Sequence, residues 1–158
     1  MPKSSRFGPP GPTLDKWDKV EILLVEDNLS DAELTVRALR GVGVTQKILR
    51  LSDGVEALDF IFRKARFADR DQALPKLILL DLKMPRVGGI EFLQRLRQDS
   101  ATTHIVVAML TSFVMDKRFF DDLNVHDYLL KPVKPENLMD LVKFAGLVPK
   151  NPPGESGS

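Results

Sequence analysis

The sequence contains no cysteine in its 158 residues. That absence excludes a disulfide framework, a thiolate zinc site and a cysteine nucleophile. Long hydrophobic runs are also missing, because the longest uninterrupted one, residues 105–110, is far too short to cross a bilayer. The first ten residues lack the apolar stretch of a signal peptide. We therefore expect a soluble, cytoplasmic protein with no membrane partner.

A strong excess of one charge is missing as well. The chain has 23 Lys and Arg against 22 Asp and Glu, which leaves a net charge of +1. Dedicated nucleic-acid binders usually concentrate a basic excess on one surface, so we expect no nucleic-acid partner. The length and the 43% hydrophobic content are sufficient for one domain with its own core.

Proline and glycine are concentrated at the two ends of the chain. We predict a flexible N-terminal arm over residues 1–18, a folded domain over residues 19–146 and a flexible C-terminal tail over residues 147–158. Trp17 is the residue near the arm that could dock it onto the domain. The tail is too short for a further DNA-binding or catalytic domain.

Five short apolar runs alternate with amphipathic stretches within the folded domain. The runs predict strands at residues 20–25, 47–51, 77–82, 104–110 and 127–130. A capping box from Ser30 to Glu33 predicts the start of the first helix, which Gly41 can close, and Pro135 suits the first position of the last helix. Five successive strand–helix units predict a parallel sheet that is covered by helices on both faces.

Polar residues lie at the carboxyl ends of four of these strands, and the carboxyl ends of parallel strands meet at one edge of a sheet. The residues are Glu26-Asp27, Asp81, Thr111-Ser112 and Lys131-Pro132. Carboxylates with no internal counter-charge would repel one another, and their oxygens are suited to Mg²⁺. Taken singly, each signal is more often a polar turn or a capping residue. Taken together, the four favour a metal-dependent site at which Asp81 is a metal ligand, a nucleophile or both.

The motifs Leu-Val-Glu-Asp-Asn at 24–28 and Leu-Leu-Asp-Leu-Lys-Met-Pro at 79–85 are followed by Met-Leu-Thr-Ser at 109–112 and Tyr-Leu-Leu-Lys-Pro at 128–132. Together they resemble the receiver domain of two-component response regulators, over about residues 20–145. The resemblance implies an α/β, flavodoxin-like fold in which five helices flank a doubly wound parallel sheet of strand order 2-1-3-4-5.

The resemblance also implies the chemistry of the strand-end residues. Asp81 would be the phosphoacceptor, and Glu26, Asp27 and Asp81 would hold Mg²⁺ together with the backbone carbonyl of Lys83. The protein would catalyse only its own phosphorylation and dephosphorylation, and would not be a classical enzyme. As a stand-alone receiver it would signal by a conformational change and by binding other proteins in a phosphorelay.

Further residues of the motifs receive roles in the same way. Thr111 and Lys131 would contact the phosphoryl group, with a cis bond before Pro132, and Thr111 would couple to Tyr128 as the switch. Lys83 and Phe113 would flank the approach of water and set the lifetime of the phosphoryl group, because a lysine cannot accept a hydrogen bond from water and a phenyl ring excludes it.

Two segments of the sequence indicate the binding partners of the protein. Residues 62–75 form a longer connection than a minimal receiver needs, and they resemble the insertion of stand-alone receivers that partner phytochrome-type histidine kinases. We therefore expect a sensor histidine kinase as partner. An exposed ring of Phe119 or Phe120, on the helix predicted before the fifth strand, would anchor a homodimer through that helix, the fifth strand and the last helix.

Two other classes of protein remain open. A haloacid-dehalogenase-like phosphotransferase also forms an aspartyl-phosphate, but it expects a second Asp where Lys83 stands. A pseudo-receiver scaffold would not be phosphorylated, and it would have no need of the intact pocket residues.

Overall fold

The structure of the chain, a computed structural model, describes residues 17–83, 86–114, 118 and 124–148. Its strands are β1 (Ile22–Val25), β2 (Ile48–Leu51), β3 (Leu77–Asp81), β4 (Val106–Thr111) and β5 (Asp127–Leu130). The helices in these residues are α1 (Leu29–Gly41), α2 (Gly54–Ile61), α3 (Gly89–Gln98) and α4 (Pro135–Phe144), with a 3₁₀ turn at Ala65–Phe67. Four helices are therefore described where five were predicted. The remaining one, with Phe119 and Phe120, was predicted where most residues lie outside the described part.

The five strands form one sheet of order β2-β1-β3-β4-β5, and all four neighbouring pairs are parallel. The predicted fold class and strand order are thus confirmed. Because every strand runs the same way, residues that follow β1, β3, β4 and β5 emerge at one edge of the sheet. We call this edge the carboxyl edge.

The core lies on both faces of the sheet. Leu23 packs with Phe60 on one face, whereas its neighbour Leu24 packs with Leu39 and Leu138 on the other. Successive side chains of a strand point to opposite faces, so a strand that is covered on both sides must be apolar at every position. This arrangement explains the continuous aliphatic runs at β1 and β3, whose residues are all buried.

The start of α1 differs from the sequence prediction. The helix begins at Leu29, and the side chain of Asn28 caps it by accepting a hydrogen bond from the backbone NH of Asp31 at 2.9 Å. The capping box predicted to begin at Ser30 is therefore wrong. Asn caps a helix as well as Ser does, and the extended backbone at Asn28 allows the helix to start earlier.

Trp17 docks on the domain as expected, with its ring edge-to-face against Phe67 and 4.9 Å between ring centroids. Phe67 is buried and belongs to the longer connection between α2 and β3. The boundaries predicted for the arm and the tail stay predictions, because residues 1–16 and 149–158 lie outside the described residues. Among the helices of the described part, none combines the length and apolar character needed to cross a membrane.

Candidate functional site

A pocket of about 340 Å³ opens at the carboxyl edge. Its walls come from the segments that follow β1, β3, β4 and β5 and from the first turn of α1. The lining residues are Glu26, Asp27, Asn28, Asp31, Asp81, Leu82, Lys83, Thr111, Ser112, Phe113 and Lys131. The pocket therefore brings together every predicted site residue except Tyr128.

Three of the predicted carboxylates meet in this pocket. Glu26, Asp27 and Asp81 each place a carboxylate oxygen within 4.8 Å of the others. The parallel register aligns Val25 with Leu80, so Glu26 and Asp81 come one residue later on adjacent strands. Glu26 and Asp81 are buried, whereas Asp27 is exposed. Hard oxygen donors of this kind fit a divalent cation such as Mg²⁺.

The pKa of Glu26 shows how burial and a neighbouring carboxylate affect this site. Burial, followed by the neighbouring Asp81 carboxylate, raises the pKa of Glu26 to about 7, although Lys131 and the backbone NH of Asn28 act in the opposite direction. A bound cation would compensate the charge on this carboxylate. The raised pKa therefore fits a site that accommodates a metal.

Lys131 reaches into the same cluster from the end of β5. Its ammonium Nζ lies 3.0 Å from Glu26 Oε1, 3.3 Å from Asp81 Oδ2 and 3.3 Å from Asp31 Oδ2. Burial by itself would lower the pKa of Lys131, but the hydrogen bond to Glu26 and the charge of Asp81 raise it above its usual value. The premise that the carboxylates lack an internal counter-charge is therefore wrong. The Lys131–Pro132 bond is cis, as the resemblance implied.

Thr111 and Tyr128 lie on adjacent strands. The Thr111 side chain is buried at the end of β4, and its Oγ1 accepts a hydrogen bond from the backbone NH of Phe113 at 3.1 Å. Tyr128 is paired with Met109, two residues before Thr111, and its half-buried ring packs on the side of the sheet that holds Met109. By the two-residue period of a strand, Thr111 faces that same side.

Lys83 and Phe113 meet at the mouth of the pocket. The Lys83 ammonium lies 5.1 Å from the centre of the Phe113 ring, which is 57% exposed. A cation over a ring face is attracted by about 0.5–1 kcal/mol at exposed positions. The backbone NH of Lys83 also donates to Asp81 Oδ1 at 3.2 Å. Met84 and Pro85, which complete the motif after Asp81, lie outside the described residues.

Sequence analysis missed two residues that support the site. Arg50 of β2 donates to the backbone carbonyls of Glu26, at 2.8 Å, and Asp27, at 3.0 Å. Asp31 lies beside Lys131. Arg50 could have been noticed in the sequence, because it is a charged residue within the otherwise apolar edge strand β2. The position of Asp31 could not, because it depends on the residue at which α1 starts.

An ion pair also ties the segment after Asp81 to α2. Arg86 donates twice to Asp53 Oδ2, at 3.0 and 2.6 Å, while Asp53 Oδ1 accepts from the Glu56 backbone NH and so caps α2. Burial raises the pKa of Asp53, but the Glu56 NH and Arg86 together bring it below its usual value. Asp53 therefore stays ionised and holds the two segments together.

Comparison with known proteins agrees with this geometry. Residues 22–143 match the family described as the response regulator receiver domain. The probable methanogenesis regulatory protein FilR2 of Methanothrix harundinacea is 36% identical over 84% of this chain and 85% of its own length. The solved structure of the bacteriophytochrome response regulator RtBRR superposes with a TM-score of 0.71 at 36% identity, covering 85% of this chain and 84% of that one.

A third similar protein has been solved with a metal. The response regulator Rcp1 of Synechocystis is 32% identical over 78% of this chain and 82% of its own length. Its Mn²⁺-bound structure superposes with a TM-score of 0.65 at 28% identity, covering 80% of this chain and 93% of that one. A divalent cation therefore binds to a protein of this fold and sequence class.

Proposed function

Because the chain belongs to the response regulator receiver domain family, we propose that it accepts a phosphoryl group on Asp81 from a sensor histidine kinase and signals by binding other proteins. The observation that carries this proposal is the position of Asp81. Its buried carboxylate lies at the pocket, within 3.3 Å of the Lys131 ammonium and beside two further carboxylates. A nucleophile, a cation for phosphoryl oxygens and a set of metal ligands are thus combined in one place.

The carboxylates of Glu26, Asp27 and Asp81, with the carbonyl of Lys83, would hold Mg²⁺. When bound, this ion neutralises charge on the phosphoryl oxygens and orients the group for transfer. An Asp81 carboxylate oxygen then attacks phosphorus, the new O–P bond forms, and the N–P bond of the donor phosphohistidine breaks with its electron pair remaining on the imidazole. Lys131 pairs with a phosphoryl oxygen, and Thr111 donates its hydroxyl to another.

The signal would arise from the same contacts. When Thr111 donates to the phosphoryl group, its hydroxyl turns toward Asp81, and the space that it leaves beside β5 is available to the Tyr128 ring. Both residues face the same side of adjacent strands, which supports this coupling. The changed surface would comprise β5, α4 and the segment before β5, where a homodimer would form.

The partner would be a kinase of the phytochrome type, which resides in the cytoplasm with this chain. Support comes from the likeness to RtBRR, which is described as a bacteriophytochrome response regulator. The longer connection after α2, with its buried Phe67, resembles the insertion of this group and supports the same assignment. A panel of purified histidine kinases tests the assignment by comparing initial rates of phosphoryl transfer, and a phytochrome-type kinase is expected to be fastest.

The decisive experiment compares Asp81→Asn with wild type. Wild type should be labelled by a phosphohistidine kinase or by acetyl phosphate only when Mg²⁺ is present, and Asp81→Asn should lose the label and keep its fold. Asp140→Asn, which removes an exposed carboxylate of α4, serves as the control and should label normally. Acid-stable labelling of Asp81→Asn would contradict the proposal. Turnover of a phosphomonoester would favour the haloacid-dehalogenase-like alternative, and absence of labelling in wild type would favour the scaffold.

A further inference from the structure

Asp31 contributes a fourth carboxylate to the pocket, and none of the roles described so far uses it. Its Oδ2 atom lies 3.3 Å from the Lys131 ammonium, the same distance that separates this ammonium from Asp81 Oδ2. Asp31 belongs to α1, whereas Asp81 ends β3. The ammonium of Lys131 therefore bridges the phosphoacceptor strand and the first helix.

The backbone of Asp31 is held firmly in place. Its NH donates to Asn28 Oδ1 at 2.9 Å, and its carbonyl accepts from the Thr35 hydroxyl at 3.0 Å. The residue stands in the first turn of α1, where unpaired NH groups and the helix dipole stabilise a negative charge. These bonds fix the backbone of Asp31, and its carboxylate lies at one wall of the pocket.

An ammonium has three protons to donate, and carboxylates occupy all three directions described for Lys131. Glu26 and Asp81 are also proposed metal ligands, so a bound cation would retain them. Asp31 has no such second role and lies at the edge of the cluster, with its side chain 37% exposed. It is therefore the partner that Lys131 can release most easily when phosphoryl oxygens arrive.

We propose that Asp31 competes with the phosphoryl group for Lys131. This inference rests on the proposed function, because it concerns the same pocket. In the unphosphorylated chain Asp31 is a positioning residue that holds Lys131 toward α1. In the phosphorylated chain Lys131 exchanges this carboxylate for a phosphoryl oxygen, and the negative charge of Asp31 remains close to the new anion. Asp31 thus opposes the phosphorylated state on two grounds, a shared donor and like-charge repulsion.

The test measures binding of beryllofluoride, a mimic of the phosphoryl group, by fluorine NMR at saturating Mg²⁺. Saturating metal removes any influence of Asp31 on cation affinity, which a separate Mn²⁺ titration followed by electron paramagnetic resonance determines. We expect Asp31→Asn to bind the mimic roughly threefold to tenfold more tightly than wild type, as expected when one nearby charge is removed from a partly exposed site. Asp31→Glu should restore an affinity close to that of wild type.

Glu33→Gln is the matched control, because it removes one exposed carboxylate from the same helix without touching the pocket lining. It should change the affinity by less than about twofold. Affinity in Asp31→Asn that is equal to or weaker than that of wild type overturns the inference, as does an equal gain in Glu33→Gln. A wild-type chain that binds no beryllofluoride overturns the proposed function together with it, so the two failures are distinguishable.

Discussion

Two cations, the buried Arg70 and the mostly buried Lys131, lie at different places in this molecule, and their main hydrogen-bond partners differ in kind. At the carboxyl edge, Lys131 is surrounded by three carboxylates. In the connection between α2 and β3, Arg70 donates to the backbone carbonyls of Phe60 at 2.7 Å, Ile61 at 3.1 Å, Asp71 at 2.6 Å and Ala73 at 2.8 Å. Its guanidinium also lies 4.2 Å from the centre of the Phe60 ring.

The two surroundings suit different roles, because the partners of Arg70 are fixed whereas those of Lys131 can be exchanged. A planar guanidinium that is bound by main-chain carbonyls cannot exchange them without moving the backbone, so Arg70 makes the longer connection a rigid part of the domain. An ammonium is a point charge on a flexible stem, and side-chain carboxylates can turn away from it. Lys131 can therefore change partners while the fold stays in place, which is what the proposed phosphoryl-dependent switch requires.

The largest effect is expected from removing Arg70. Arg70→Ala leaves four carbonyls without this donor and uncovers Phe60, so it should lower the free energy of unfolding by about 3 kcal/mol or more. Urea denaturation measures the loss. Arg66→Ala is the matched control from the same connection. Its side chain is 53% exposed, and it should cost less than about 1 kcal/mol.

The matching measurement at the carboxyl edge is the free energy of unfolding of Lys131→Ala in Mg²⁺-free buffer. Its effect on unfolding should be smaller than that of Arg70→Ala, because Glu26, with its pKa already about 7, can take up a proton and relieve the uncompensated charge. Equal losses in the two variants would break the distinction between fixed and exchangeable partners.

The pH dependence of stability gives an intermediate effect at the carboxyl edge. The pKa of Glu26 is raised from 4.5 to about 7, so the folded chain binds more protons than the unfolded chain between these values. Stability without metal should therefore fall as pH rises from about 4.5 to about 7 through this residue. Thermal melts across this range should show the slope in wild type and a weaker slope in Glu26→Gln. A slope that is unchanged in Glu26→Gln would assign it to other groups.

The smallest effect concerns the lifetime of the phosphoryl group. The Lys83 ammonium and the Phe113 ring lie together at the pocket mouth, where they would hinder the approach of water. Lys83→Asn and Phe113→Ala should each speed dephosphorylation, and the double variant should do so by about tenfold, or roughly 1.4 kcal/mol of barrier. The measurement follows phosphoprotein decay in Mg²⁺ after the donor is removed. Decay in wild type as fast as in the double variant would show that the pair does not set the lifetime.

The sheet was predictable because its signals are local. Strands buried on both faces must be apolar throughout, so β1 and β3 stood out, and polar residues at their ends marked the carboxyl edge. Pro135 is the first residue of α4 as predicted, because its fixed φ suits the start of a helix. The first helix ends at Gly41 as predicted, but the residue that stops it is Gly43, which adopts a positive φ of 96° and donates its NH to the Arg40 carbonyl. Five successive strand–helix units then predicted that the strands are parallel.

What the amino-acid sequence determined by itself was therefore the class of fold, the edge where the pocket lies and the residue types that fill it. The tertiary structure decided which charges meet. Asn28 and Ser30 were both able to cap α1, and this choice set the position of Asp31 relative to Lys131, a hundred residues away. Arg70 likewise found its carbonyl partners only once the connection had folded around it. Such contacts depend on distances between segments remote in the chain, and no local pattern of residues encodes those distances.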